Sequence, residues 1–175
     1  MIWRSEMFST VSRSVFSFGI AAVVMAVSAT ASIADTPAQK RENIHRCLLQ
    51  IYLSQRKSEA GAEYQALLNM KPSDAQLHFD YGNFLLRGGN ANGAAGQYQL
   101  AVKNAPRNAD YQIGLGNALM RNKNYKGAVA AYRRAVEIGG ATGSQSPQSL
   151  LQIAQQYVQQ QEAYENYKKQ QAENQ

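Results

Sequence analysis

Three side chains able to act as nucleophile, base or metal ligand are His45, Cys47 and His78. A hydrolytic nucleophile needs a base within hydrogen-bond reach and an acid to orient that base. No local signature brings a serine, a histidine and an acid together. His45 and Cys47 lie close in sequence and His78 is distant, which makes no ligand set. A lone thiol also gives neither an internal disulfide nor a cysteine-based zinc site. The sequence therefore predicts no metal, no cofactor and no enzyme. The alternative keeps some chemistry at His45, Cys47 or Tyr52; against it stands a small, buried, apolar-like role for the thiol. The net charge of +6 comes from basic residues in runs of at most two. No basic stripe with interleaved aromatics appears, so nucleic acid is not an expected partner.

What must position such residues is a chain of 175 residues, 45% apolar and 17% charged, with only four prolines. That is one domain's worth of sequence with enough apolar material for a core. Residues 1–34 read as a secretory signal peptide. Arg4 and Arg13 give a positive lead, Val15 to Val27 an apolar stretch, and Ala29-Thr30-Ala31 or Ser32-Ile33-Ala34 a small-x-small cleavage frame. The stretch is short for about 30 Å of hydrocarbon, although an uncleaved N-terminal anchor is the alternative. No cysteine follows at the cleavage frame, so lipid modification is not indicated. A periplasmic or otherwise exported location is expected, with residues 35–40 as a short linker.

The rest is repetitive. YGNFLLR at 81–87 recurs as LGNALMR at 115–121, which sets Gly82 against Gly116, Asn83 against Asn117 and Arg87 against Arg121 at one constant interval. Downstream of Gly82 stand Ala94, Tyr98, Ala101 and Pro106. The same steps from Gly116 reach Ala128, Tyr132, Ala135 and Gly140, and from Leu48 they reach Ala60, Tyr64, Leu67 and Pro72. A fixed period of this length marks a repeat architecture. Each copy holds two apolar-periodic stretches at helical spacing, with turn residues at Gly88-Gly89-Asn90 and Asn122-Lys123-Asn124. Pro72 and Pro106 close their copies. The glycines let a partner helix approach closely, and Tyr98 and Tyr132 fill the wedge to the next copy. Leu48, standing where the others have glycine, predicts looser packing in the first pair.

This pattern resembles the tetratricopeptide repeat family. The resemblance implies an all-α fold, a right-handed superhelix of antiparallel helix pairs (an α-solenoid). Three copies would span 41–74, 75–108 and 109–142. Residues 143–175, after a GSQSP linker, would form a degenerate fourth copy or one long capping helix, with a Gln-rich tail. In the family the first helices line a concave face that binds a partner's peptide. The places that carry over are His45, Leu49 and Tyr52 in the first copy, Phe79, Asn83, Leu86 and Arg87 in the second, and Ile113, Asn117, Met120 and Arg121 in the third. The two asparagines would bond a peptide backbone, the two arginines a carboxylate, and Phe79, Leu86, Ile113 and Met120 apolar side chains. A family subset grips chaperone C-termini through Lys, Asn and Arg. The corresponding places here hold His45, Leu49, Asp80, Asp110 and Gly114, so that adaptor type is not implied. The expectation is a non-catalytic scaffold that binds a protein or peptide, within a cell-envelope assembly. The alternative is a structural spacer or oligomerisation module.

Overall fold

Capping side chains decide where most of the helices begin. The computed structural model describes residues 36–55, 58–139 and 146–173. Among them the regular structure is entirely α-helical: α1 (Pro37–Ser54), α2 (Ala60–Met70), α3 (Ala75–Arg87), α4 (Ala91–Asn104), α5 (Ala109–Arg121), α6 (Tyr125–Ile138) and α7 (Pro147–Glu173). Asp74, Asn90, Asn108 and Asn124 each cap a helix by accepting a bond from a backbone N–H of its first turn. The export signal expected over residues 1–34 lies outside the described residues.

One boundary differs from the sequence expectation. The sequence predicts a linker over residues 35–40, yet α1 begins at Pro37. Thr36 Oγ1 accepts from the Gln39 N–H while Gln39 Oε1 accepts from the Thr36 N–H at 2.7 Å. This reciprocal capping box, with proline at the first helical position, is a helix start in its own right.

The chain divides into two compact units, one ending at Met70 and one beginning at Lys71. In the first unit, α2 buries Ala60, Tyr64 and Leu67, while α1 buries only Leu49. The pair is less intimately packed than those of the second unit, as expected for a first helix with Leu48 in place of the glycine.

In the second unit the helices pack in sequence, α3 on α4, α4 on α5, α5 on α6 and α6 on α7. Tyr98 lies at the centre of one cluster with Ala94, Ala95 and Ala118, flanked by Phe79, Leu85, Leu86, Leu115 and Leu119. Tyr132 centres the next with Ala128, Leu150 and Ala154. The small residues are required by geometry. A Cβ added at Gly82 would lie 2.7 Å from Tyr98 Cε1, and one at Gly114 2.9 Å from the same atom. Tyr98 is thus pressed between its own copy's first helix and the next copy's. The repeat period is the register of that contact.

The turns of the second and third copies share a Schellman ending. Asn90 N–H donates to Leu85 O and Gly89 N–H to Leu86 O; Asn124 N–H donates to Leu119 O and Lys123 N–H to Met120 O. The geometry needs a left-handed residue, which is Gly89 at φ 84° in one turn and Lys123 at φ 59° in the other. A side chain there costs about 1 kcal/mol or more. Lys123→Gly is therefore expected to raise stability by about 0.5–1 kcal/mol, net of the glycine's unfolded-state entropy, read as a higher urea midpoint.

Within residues 143–175 the described part is one helix. α7 runs unbroken for 27 residues, with only Pro147, Leu150 and Ala154 buried.

Candidate functional site

In the second unit, α3 and α5 lie against each other, joined along their length by side chains from successive turns. Near their N-terminal ends the Tyr111 hydroxyl donates to Gln76 Oε1 at 3.1 Å, and Gln76 Nε2 donates to Asp80 Oδ1 at 2.9 Å. The Phe79 ring lies 4.9 Å from that of Tyr111 and 5.5 Å from that of Tyr98. Further along, the Tyr98 hydroxyl donates to Asn83 Oδ1 at 2.8 Å. At the C-terminal end, Arg121 Nη1 donates to Leu86 O at 3.4 Å, from one copy to the other, and the exposed Arg87 follows Leu86 in sequence.

The electrostatics of this face change sign along it. Burial raises the Asp80 carboxyl above its ordinary value, offset by its bond from Gln76 and by Arg87, while Asp74 adds to the rise. Burial also raises the Tyr111 hydroxyl, and the carboxylates of Asp80, Asp74 and Asp110 all push it further. Burial pushes the Tyr98 hydroxyl up to about 12, against the pull of Arg87 and Arg121. Tyr132, whose hydroxyl donates to Asn117 Oδ1 at 2.7 Å, is likewise pushed up to about 12 by burial. Asp74, Asp80 and Asp110 thus stand toward the N-terminal ends of α3 and α5, and Arg87 and Arg121 in their last turns.

The sequence-predicted groove residues of this unit fall into three groups. Asn83 and Asn117 each use the side-chain oxygen on a tyrosine, which orients the amide and leaves its N–H groups as the donors a guest would meet. Arg87 and Arg121 are exposed. The apolar set is half-buried: Phe79 and Leu86 pack on the Tyr98 cluster, and Ile113 and Met120 on the Tyr132 cluster with the start of α7. Each of these would offer an edge rather than a whole side chain.

In the first unit, His45 Nδ1 lies 2.6 Å from Glu63 Oε2, tying α1 to α2. Leu49 is buried, Tyr52 is half-buried, and Cys47 is a half-buried free thiol. Among the described residues no group of three His, Cys, Asp or Glu side chains is placed to hold a metal ion.

Sequence reasoning missed the Gln76–Tyr111–Asp80 network. Copy matching hides it, because position-for-position the equivalents of Gln76, Leu77 and Asp80 are Asp110, Tyr111 and Gly114. The network exists only because the two copies differ. It also missed the role of His78, which is buried between Gln97 Oε1 at 2.8 Å and Pro72 O at 2.9 Å. Its surroundings are a structural brace from α3 to α4 and to the preceding turn.

Comparison with known proteins agrees with this architecture. The tetratricopeptide repeat model matches residues 49–109 and 85–146, together more than half of the chain. No curated protein matches significantly. Among solved structures, the Sgt2 TPR domain from Aspergillus fumigatus is similar with a TM-score of 0.61 and 22% identity, over 75% of this chain and 86% of that one. A MamA RS-1 ArsTM double mutant is similar with a TM-score of 0.52 and 18% identity, over 76% of this chain and 74% of that one. At these identities the likeness is one of fold.

Proposed function

Because the chain belongs to the tetratricopeptide repeat family, whose fold is generally a scaffold for protein–protein interaction, we propose that the α3–α5 face holds a segment of a protein partner. The observation that carries this reading is the set of oriented donors along the face. The Asn83 and Asn117 amides are held in place by Tyr98 and Tyr132, next to the exposed Arg87 and Arg121. Such donors suit a peptide backbone and a carboxylate.

Selection of displayed seven-residue peptides on the immobilised full chain tests the reading. The expected result is a converging set of sequences whose affinity falls about tenfold in Arg87→Glu/Arg121→Glu, the loss of roughly one charge-assisted bond. Lys103→Ala, at the exposed end of α4, should leave it unchanged. Failure of any sequence to converge on a folded chain would contradict it.

Read as an export signal, residues 1–34 support a location in the periplasm or an equivalent exported space, where the scaffold would serve a cell-envelope assembly. Intact mass of the chain recovered from its native host checks this: loss of residues 1–31 or 1–34 is expected, and an uncleaved chain counts against it.

A second reading, an oligomerisation module, is favoured by one observation. Ile153, Tyr157, Tyr164 and Tyr167 form an exposed stripe on α7. Counted from the helix starts, Tyr157 corresponds to Leu85 in α3, which packs on the Tyr98 cluster of α4. Sedimentation of Tyr164→Glu/Tyr167→Glu against the unaltered chain separates the readings. A monomer in both leaves the α3–α5 face as the working surface.

A further inference from the structure

We propose that the segment held on the α3–α5 face is itself bipolar, lodging a lysine or arginine side chain at the Asp80 end and an acidic group at the Arg87–Arg121 end. This rests on the peptide-binding reading above and specifies the chemistry of its ligand. Two separate features of the face lead to it.

The first is the acidic end. Asp74 caps α3 and Asp110 stands in the first turn of α5, and the Tyr111 hydroxyl is linked to Asp80 through Gln76. Asp80 is half-buried, with Oδ1 engaged by Gln76. A carboxylate drawn partly out of water gains more from an added cation than a solvated one does, because the pair interacts at lower dielectric. Phe79, half-buried and 4.9 Å from the Tyr111 ring, gives the methylene stem of a basic side chain an apolar ledge.

The second is the opposite end. Arg87 and Arg121 stand in the last turns of α3 and α5, and Arg121 reaches Leu86 O, next to Arg87 in sequence, further along the helices than the carboxylates. A guest carrying charge of one sign alone would meet repulsion at one end. A guest with both, in the right order, is attracted at each, and wrong partners are rejected by the same arrangement. Asp80 and Arg87 are separated by two turns of α3, about 10 Å along the helix axis. An extended segment advances about 3.3 Å per residue and shows alternate side chains on one face, so its basic and acidic groups should be two or four residues apart, the long basic side chain making up the difference. The Asn83 amide lies between, where the backbone of such a segment would pass.

Position statistics of the peptides selected on the full chain test this directly. The expected result is Lys or Arg enriched at one position and Asp or Glu two or four positions away. The most enriched peptide, labelled for fluorescence anisotropy, is then titrated against the unaltered chain and Asp80→Asn. Affinity should fall about tenfold in the variant. The same peptide with norleucine in place of its basic residue should bind both proteins equally.

Asp80→Asn keeps the shape of the side chain and its bond from Gln76. Burial disfavours the charged form of Asp80, so the variant should melt no lower than the unaltered chain at neutral pH. Convergent peptides with no basic position, or equal effects of Asp80→Asn on the lysine and norleucine peptides, would overturn the inference while leaving peptide binding intact. No convergence at all would overturn both.

Discussion

Tyr98→Ala is expected to cost about 3–5 kcal/mol of stability, the range for deleting a large buried aromatic. Tyr98 has no exposed surface. Its ring edge is where a Cβ on Gly82 or Gly114 would fall, so both neighbouring first helices are shaped around it. Removing the ring leaves two glycines facing a void that neither can fill. It also strands the Asn83 oxygen, which accepts the Tyr98 hydroxyl. Urea unfolding followed by circular dichroism reads the effect as a fall in midpoint. Tyr98→Phe separates the two contributions: it keeps the packing and loses one hydrogen bond, about 1 kcal/mol. A loss in Tyr98→Ala no larger than that in Tyr98→Phe would mean that the ring is not what holds the copies together.

The converse substitution, Gly116→Ala, is expected to destabilise by about 1–3 kcal/mol through overpacking. This occurs despite alanine's better helix propensity, worth about 1 kcal/mol in its favour. A Cβ at Gly116 would fall inside contact distance of Tyr132 Cε1, Cδ1 and Cζ. The ring cannot swing away easily. Its hydroxyl is fixed by Asn117 at 2.7 Å, and it packs with Ala128 and Ala154. Gly96→Ala in α4 is the matched control, since a Cβ there meets nothing within 4 Å. That variant should gain stability by up to about 1 kcal/mol. The opposite signs of two identical substitutions, read from urea midpoints, isolate the contact from the propensity.

The fold was legible because the features that build it repeat. Gly82 and Tyr98 recur in frame as Gly116 and Tyr132, Pro106 answers Pro72, and a helix pair that cannot bury its own face must stack. The start of α1 is written in the sequence too, since Thr36-Pro37-Ala38-Gln39 has the spacing of a capping box. Composition alone makes that stretch look like linker. Whether a turn would interrupt the last segment was not written in residues 158–173. Their Gln-rich composition favours helix without marking a turn, and α7 simply continues.

The candidate site was legible only in outline. Asn83, Asn117, Arg87 and Arg121 could be placed on first helices by counting. Counting could not show that the asparagine oxygens are engaged by tyrosines, or that Ile113 and Met120 are half-covered by the start of α7. It also could not find the Tyr111–Gln76–Asp80 network, which joins positions that do not correspond between copies. In the first unit, the His45–Glu63 pair joins different helices, across a separation at which periodicity says nothing about which side chains meet.

If α3 and α5 present the surface a protein partner occupies, nitrogen-15 shift mapping will register it, because each asparagine side-chain amide gives its own pair of signals. With the most enriched selected peptide added to the full chain, the largest shifts should fall on those two side chains and on the backbone of α3 and α5 over positions 76–87 and 110–121. Shifts concentrated on the outer surface of α4 and α6, or on the exposed tyrosines of α7, with both asparagine side chains unmoved, would contradict it.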